Sequence, residues 1–234
     1  MNRSQAQDPL PPPPPVPPPP KWEASLALGF TLTKGNSDTV LGTINGQAQK
    51  KTPKHEIAFG ADGAYGENDS ERNTAFIHGF FQYNYLFTDR FYGYARVDAL
   101  HDDISDVYYR VTLSPGVGYY FIKEKRTTLA GEIGPGLVTE NQSGDYNTYA
   151  TLRIAERFEH KFKNEARIWQ SIEFLPELGH FHNYIINAEI GVDAPLSKKL
   201  FLTAYIQDTY DNEIPQGPRR NNDLKLVSGL KYKF

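Results

Sequence analysis

Asp223-Leu224-Lys225-Leu226-Val227-Ser228-Gly229-Leu230-Lys231-Tyr232-Lys233-Phe234 ends the chain. Leu224, Leu226, Leu230, Tyr232 and Phe234 share one parity; Lys225, Lys231 and Lys233 share the other. Successive side chains of a strand point to opposite faces, so one face here is oily and aromatic and the other carries ammonium groups. A soluble sandwich can own such a strand. A barrel that crosses a bilayer requires it, apolar toward lipid and polar toward an enclosed lumen.

The same alternation runs back to Trp22. Trp22, Ala24, Leu26, Leu28, Phe30 and Leu32 oppose Glu23, Ser25, Gly29 and Thr31. Phe91, Ala95, Val97 and Ala99 oppose Tyr92, Tyr94, Arg96 and Asp98. Tyr109, Val111, Leu113, Val117 and Tyr119 oppose Tyr108, Arg110, Thr112 and Ser114. No helical period is long enough to compete. Counted between turn signals, the runs predict an all-β fold: a closed antiparallel transmembrane β-barrel of about twelve strands, an even number as single-chain bacterial barrels show. Pro115 and Pro135 fall inside strands, where each costs a ladder bond unless a bulge absorbs it. Glu156 and Asp208 fall on the lipid parity.

The connections sort into two sets. Lys50–Lys54, Thr88–Arg90, Lys123–Arg126, Lys161–Asn164 and Ser197–Lys199 are short and basic. Glu67–Asn73, Asp102–Asp106, Asn141–Asp145, Pro176–His182 and Asp211–Asn222 are mostly longer and more acidic, and Gly35–Asp38 is a turn by its residue types. Short periplasmic turns and longer extracellular loops are the rule for such barrels, which places both termini in the periplasm. Phenylalanines cluster near the basic turns (Phe59, Phe87, Phe91, Phe121, Phe158, Phe234) and tyrosines near the acidic loops (Tyr65, Tyr109, Tyr146, Tyr184, Tyr210), as two interfacial girdles would.

The 234 residues carry a formal net charge of −3, which gives no electrostatic case for nucleic acid. Cysteine is absent, so disulfides and thiolate metal sites are excluded. No apolar run approaches the roughly 20 residues of a spanning helix. Residues 1–21 read as a disordered proline-rich tail and 22–234 as the barrel; Pro11–Pro20, broken only by Val16, favours polyproline II, a stiff spacer or a periplasmic arm. Met1–Gln7 lacks the apolar core of an export signal, so that signal is expected upstream or already removed.

The ending resembles the assembly signal of bacterial outer-membrane barrels, with Gly229, Tyr232 and Phe234 at its defining positions and Val227 where a polar residue is usual. The Gly35-Asn36-Ser37-Asp38 turn after the opening strand, Arg110 with Pro115-Gly116-Val117-Gly118-Tyr119, Gly131-Glu132-Ile133-Gly134-Pro135-Gly136 and the Lys231-Tyr232-Lys233-Phe234 ending together resemble the YdiY-like salt-induced outer-membrane proteins. The resemblance covers Trp22 to Phe234. It implies an outer-membrane barrel without a settled biochemical role and without catalytic residues.

The candidate site is the lumen. Arg96, Arg110, Arg153 and Arg157 share the inner parity with Glu56, Asp62, Asp98, Glu132, Glu173 and Glu189. Either these charges pair and plug the interior, as charges removed from bulk water must, or they line a water-filled passage as opposing ladders. A serine nucleophile needs a histidine base; His78 has no serine beside it on its own strand, and His101, His180 and His182 sit at or near loops. His180 and His182 with Glu177, or Asp102, Asp103 and Asp106, have ligand chemistry but read as solvated loop residues. The expectation is a non-enzymatic outer-membrane barrel with no cofactor and no bound metal. It would be a narrow channel for small polar solutes or a structural envelope protein, tied through the resemblance to osmotic or salt stress. The alternatives are a lipid-acting outer-membrane enzyme and a soluble lipocalin-like binder. Expected partners are outer-membrane lipid and lipopolysaccharide, and the barrel assembly machinery through the last strand, with a monomer as the unit.

Overall fold

The computed structural model describes residues 21–33, 39–212 and 221–234. The proline run before Lys21, the Gly35–Asp38 turn and the Pro215–Pro218 part of the last loop lie outside the described residues. Twelve strands follow in order: β1 (Trp22–Thr33), β2 (Thr39–Lys51), β3 (His55–Asn68), β4 (Glu71–Leu86), β5 (Phe91–Asp102), β6 (Val107–Lys123), β7 (Thr127–Gln142), β8 (Asp145–Lys161), β9 (Arg167–Glu177), β10 (His180–Pro195), β11 (Leu200–Asp211) and β12 (Asn222–Lys233). Each pairs antiparallel with its neighbour in sequence, and β12 pairs with β1 to close the barrel.

Exposure inverts the order of a globular domain. Phe30 is 71% and Ile77 60% exposed, whereas Asp193 is 0% and Glu132 4%. Large apolar side chains in a continuous outer belt and charged ones in the interior describe a wall that separates two different solvents. The ends keep the charge division read from the sequence, and they are called here the basic end and the acidic end.

The turns at the acidic end are tighter than expected, because the strands run on into the segments read as loops. β3 and β4 are joined by Asp69-Ser70 alone, with φ of 50° and 66°, and β7 and β8 by Ser143-Gly144, with φ of 56° and 91°. Positive φ at both central residues is the two-residue hairpin turn whose twist matches the flanking strands. β9 and β10 are also joined by two residues, Leu178-Gly179, of which Gly179 alone has positive φ (98°), so His180 opens a strand. Asp and Ser signal a turn without revealing that it takes only two residues.

A bulge corrects one face assignment. Between β6 and its neighbours the register shifts at Val107–Tyr109, which turns Val107 inward and leaves Tyr108, expected inside, 70% exposed. An extra residue reverses parity on its far side. On the outer wall, Glu156 accepts a hydrogen bond from Gln170 Nε2 at 2.9 Å, while Asp208 stands beside Ala188 and Leu224 with its enclosed Oδ1 lacking a hydrogen-bond partner.

No bulge absorbs the two prolines. β6 and β7 keep one register through Leu113↔Leu137 and Val117↔Ile133, and the ladder lapses between those pairs, where Pro115 faces Pro135. Pro115 still pairs with Ala95 and Pro135 with Leu152, so the missing donors face one another across a single seam. There the backbones press together: a Cβ on Gly134 would lie 2.1 Å from the Pro115 carbonyl oxygen. Gly134→Ala should therefore destabilise the barrel by about 1–3 kcal/mol, as overpacking against backbone does. Gly79→Ala, whose Cβ would meet nothing nearer than 3.6 Å, should leave it unchanged; urea unfolding of the detergent-folded protein compares them.

Candidate functional site: the charged lumen

The β4–β8 half of the lumen is filled toward the basic end. Leu86, Tyr92, Tyr94, Tyr120 and Ala130 form a buried cluster there. Above it Glu132 is a hub. Its Oε1 accepts from Tyr92 Oη at 2.9 Å, Gln82 Nε2 at 2.8 Å and Arg157 Nη2; its Oε2 accepts from Arg153 Nη1 at 2.8 Å. Arg153 Nε also donates to Glu173 on β9. Glu56 accepts from Tyr120 Oη at 2.6 Å and Asn84 Nδ2 at 3.1 Å. A carboxylate has about four lone-pair sites, and at Glu132 four donors reach them. A charge so deeply buried is tolerated because it is both paired and hydrogen-bonded.

At mid-height, His78 stands between two carboxylates, Nδ1 at 2.9 Å from Asp62 and Nε2 at 3.4 Å from Asp98. Arg96 holds Asp98 with Nε at 2.8 Å and Nη2 at 2.5 Å, and donates to Gln82 Oε1 at 3.1 Å. Toward the acidic end Arg110 donates to Glu140 on the adjacent strand and, across the lumen, to Asp211 on β11 at 2.9 Å. Lys225 of β12 reaches Asp102 of β5 at 3.7 Å. Near the basic end Asp193 accepts from Arg167 at 3.0 Å and Lys231 at 3.2 Å. Lys123 Nζ stands 3.9 Å from Glu56, whereas Glu189 has no cationic partner among the described residues. Its two oxygens accept from Trp169 Nε1 at 2.5 Å and Gln207 Nε2 at 2.9 Å, both neutral donors.

A cavity of about 730 Å³ runs through the lumen, lined by residues of β2 to β12. Its lining begins near the basic end with Gln49, Lys51, Glu159 and Arg167, passes Asp62, His78, Glu189 and Gln207, and ends near the acidic end at Asp102, Ser105 and Asp223. Packing and cavity share the lumen: the tyrosine cluster fills the β4–β7 side near the basic end, and Asp193, Phe201, Thr203 and Lys231 are buried on β10–β12.

Nine of the ten charged candidates line this cavity, Glu132 being buried behind it. The structure brings Glu132, Arg153, Arg157 and Glu173 into one network and pairs Arg96 with Asp98. It gives Arg110, Asp62 and Glu56 other partners: Glu140 and Asp211, His78, and Tyr120. Glu140 was missed because β7 runs beyond Leu137, where the inner parity of Glu132 continues. Asp193 and Lys231 carried the right parity and escaped attention as a pair because parity says nothing of height.

His180 Nδ1 lies 3.1 Å from Glu177, and Asp102 Oδ1 accepts from the Ile104 and Ser105 amides, so these groups serve their own turns. Among the described residues no group of three or more His, Asp or Glu is placed to hold a metal. Tyr232 and Phe234 of the terminal motif stack edge to face at 5.1 Å on the outer wall.

Fold and lumen together define a twelve-stranded barrel with an apolar outer wall and an ion-paired, partly hollow interior. The chain belongs to the family described as "Protein of unknown function, DUF481", whose model matches residues 26–234. No curated protein sequence matches it. Among solved structures, it is similar to the translocator domain of the autotransporter NalP from Neisseria meningitidis, at 13% identity and a TM-score of 0.45, over 91% of this chain and 87% of that one. It is also similar to a porin, at 8% identity and a TM-score of 0.43, over 92% and 100%. The β domain of the Bordetella autotransporter BrkA follows at 13% identity and a TM-score of 0.41, over 90% and 97%. Alignments this loose carry nothing about solute or role.

Removing the Glu132 carboxylate takes from the half-buried Arg157 its one ion-pair partner among the described residues and from the buried Arg153 one of two. Glu132→Ala should cost about 3–5 kcal/mol, the range for breaking one side of a buried ion network. Glu189→Gln, whose neighbours are neutral and face the cavity, should cost under about 1 kcal/mol. Guanidinium unfolding midpoints in one detergent measure both.

Proposed function

We propose that the protein is a bacterial outer-membrane barrel that passes small polar solutes, cations preferred, along the cavity of its lumen. The observation that carries this reading is the cavity, whose lining extends from Lys51 and Arg167 near one end to Asp102 and Asp223 near the other. The apolar outer belt with its aromatic girdles supports a bilayer as the surrounding solvent. Lipid and lipopolysaccharide are then its immediate surroundings, and the basic end with both termini faces the periplasm. The exposed Tyr232 and Phe234 of the closing strand are what the assembly machinery would read, and one chain makes one complete lumen.

Cation preference follows from mid-lumen charge. Glu189 meets only neutral donors, and Asp62 is balanced by a histidine alone, so the field at the middle of the passage is negative. The resemblance to salt-induced envelope proteins suits a passage of this bore, which admits ions and small osmolytes. His78 has carboxylates at both ring nitrogens and no hydroxyl to activate, which favours a passage over a hydrolase.

In planar bilayers the purified protein should give small conductance steps, with a reversal potential under a salt gradient of the sign for cation preference. Glu189→Gln should move that potential toward zero while the steps persist. Silence in every salt tested would remove the passage and leave a structural envelope barrel.

A further inference from the structure

The closing seam is only partly zipped. The β1–β12 ladder runs from Ser25↔Lys233 to Leu28↔Leu230 and stops, whereas β2 and β3 pair from Thr39↔Asn68 to Lys51↔Glu56 without a break. β1 continues to Thr33, and β12 begins at Asn222, so five residues of one strand and eight of the other lie beyond the last rung. The next rung would join Gly29 to Gly229. There the backbones touch without pairing: a Cβ on Gly29 would lie 2.3 Å from the Ser228 carbonyl oxygen, and one on Gly229 2.2 Å from that of Leu28. The glycine pair is a pivot above which no ladder pair joins the two strands.

The surroundings of this gap have two chemistries. Outside, Phe30 flanks it on β1 and Leu224 and Leu226 on β12, all about 70% exposed, among the barest apolar side chains of the wall. Inside, Asp223 and Lys225 of β12 line the cavity beside the gap. Between them, β12 presents backbone N–H and C=O groups toward β1 with no rung to satisfy them. Hydrocarbon cannot satisfy such groups, so water or a polar head must.

We propose that the upper β1–β12 seam is a lateral opening through which a single-chain amphiphile, an apolar tail with a small polar head, passes between the lumen and the membrane. The tail lies along Phe30, Leu224 and Leu226, and the head meets the unpaired backbone and the polar cavity. The proposal rests on the reading of the chain as a membrane-spanning barrel and is independent of ion conduction.

The chain lacks cysteine, so the seam can be locked without interference. Phe30→Cys with Ser228→Cys places thiols where the missing rung above the glycines would fall, and Leu26→Cys with Tyr232→Cys places them on an existing rung. In a Trp22→Phe background Trp169, which lines the cavity, is the sole tryptophan and reports from inside. In phosphatidylcholine vesicles a mid-chain brominated fatty acid should quench Trp169 in the reduced Phe30→Cys/Ser228→Cys protein. Oxidation should abolish the quenching, reductant should restore it, and oxidation of the Leu26→Cys/Tyr232→Cys control should leave it intact. Absent quenching, or quenching that survives the lock, overturns the opening. A disulfide-linked dimer from the upper pair overturns it as well, since the free edge then belongs to a second copy. Conductance measured on the same locked protein separates the two readings: steps that persist leave the passage standing whatever the bromine shows.

Discussion

Closure of the sheet is the constraint from which the rest follows. A sheet surrounded by hydrocarbon has no water for its edges, so its last strand must find its first. Once it does, every second residue is committed to an enclosed interior whose size the strand number sets. Twelve strands enclose more space than backbone alone can fill, and this chain fills it unevenly. Tyrosine rings and paired guanidinium and carboxylate groups take part of the space, and a cavity lined by β2 to β12 runs past them.

The filled side depends on glycine as much as on charge. A Cβ on Gly118 would lie 2.3 Å from the Tyr92 ring, and one on Gly116 2.7 Å from that of Tyr94, so two inner-face tyrosines lie against bare backbone of the next strand. Those rings carry hydroxyls, and that of Tyr92 helps to satisfy Glu132. Glu132 in turn makes Arg153 and Arg157 tolerable. Burying these three charges is costly in itself, so the network specifies which strands face one another more than it adds stability.

Much of this was legible in the residues. Alternation alone told inside from outside, and basic against acidic turns told one end from the other. Height was not legible. Arg110 meets Asp211 and Gln82 meets Glu132 across strands that are not neighbours, and such meetings depend on how far each hairpin is staggered, which no single strand records. Nor did residue type reveal that Asp69-Ser70 and Ser143-Gly144 turn in two residues, or that a bulge at Tyr108 exchanges its face with that of Val107. Gly229 was noticed as part of a terminal motif. Its contact with the backbone of Leu28 and Gly29 needed the closed ring.

Besides a short lapse at Pro176 on β8–β9, two breaks in the ladder stand on opposite sides of the barrel and have opposite characters. At Pro115 and Pro135 the donors are missing, so the lapse leaves few groups wanting, and regular pairing resumes on both sides of it. That break lies against the tyrosine-filled half, where packing holds the strands together without those bonds. At Gly29 and Gly229 the donors are present and pairing does not resume. Below that break the inner face is packed, with Ala27 and Lys231 buried, and above it β12 turns Asp223 and Lys225 to the cavity. Glycine allows backbone contact at both places, but only at the seam does the contact end the ladder instead of bridging it. A wall whose prolines have no donors to lose can spare a few rungs and zip again, whereas at the closing seam donors and acceptors remain and the ladder does not resume.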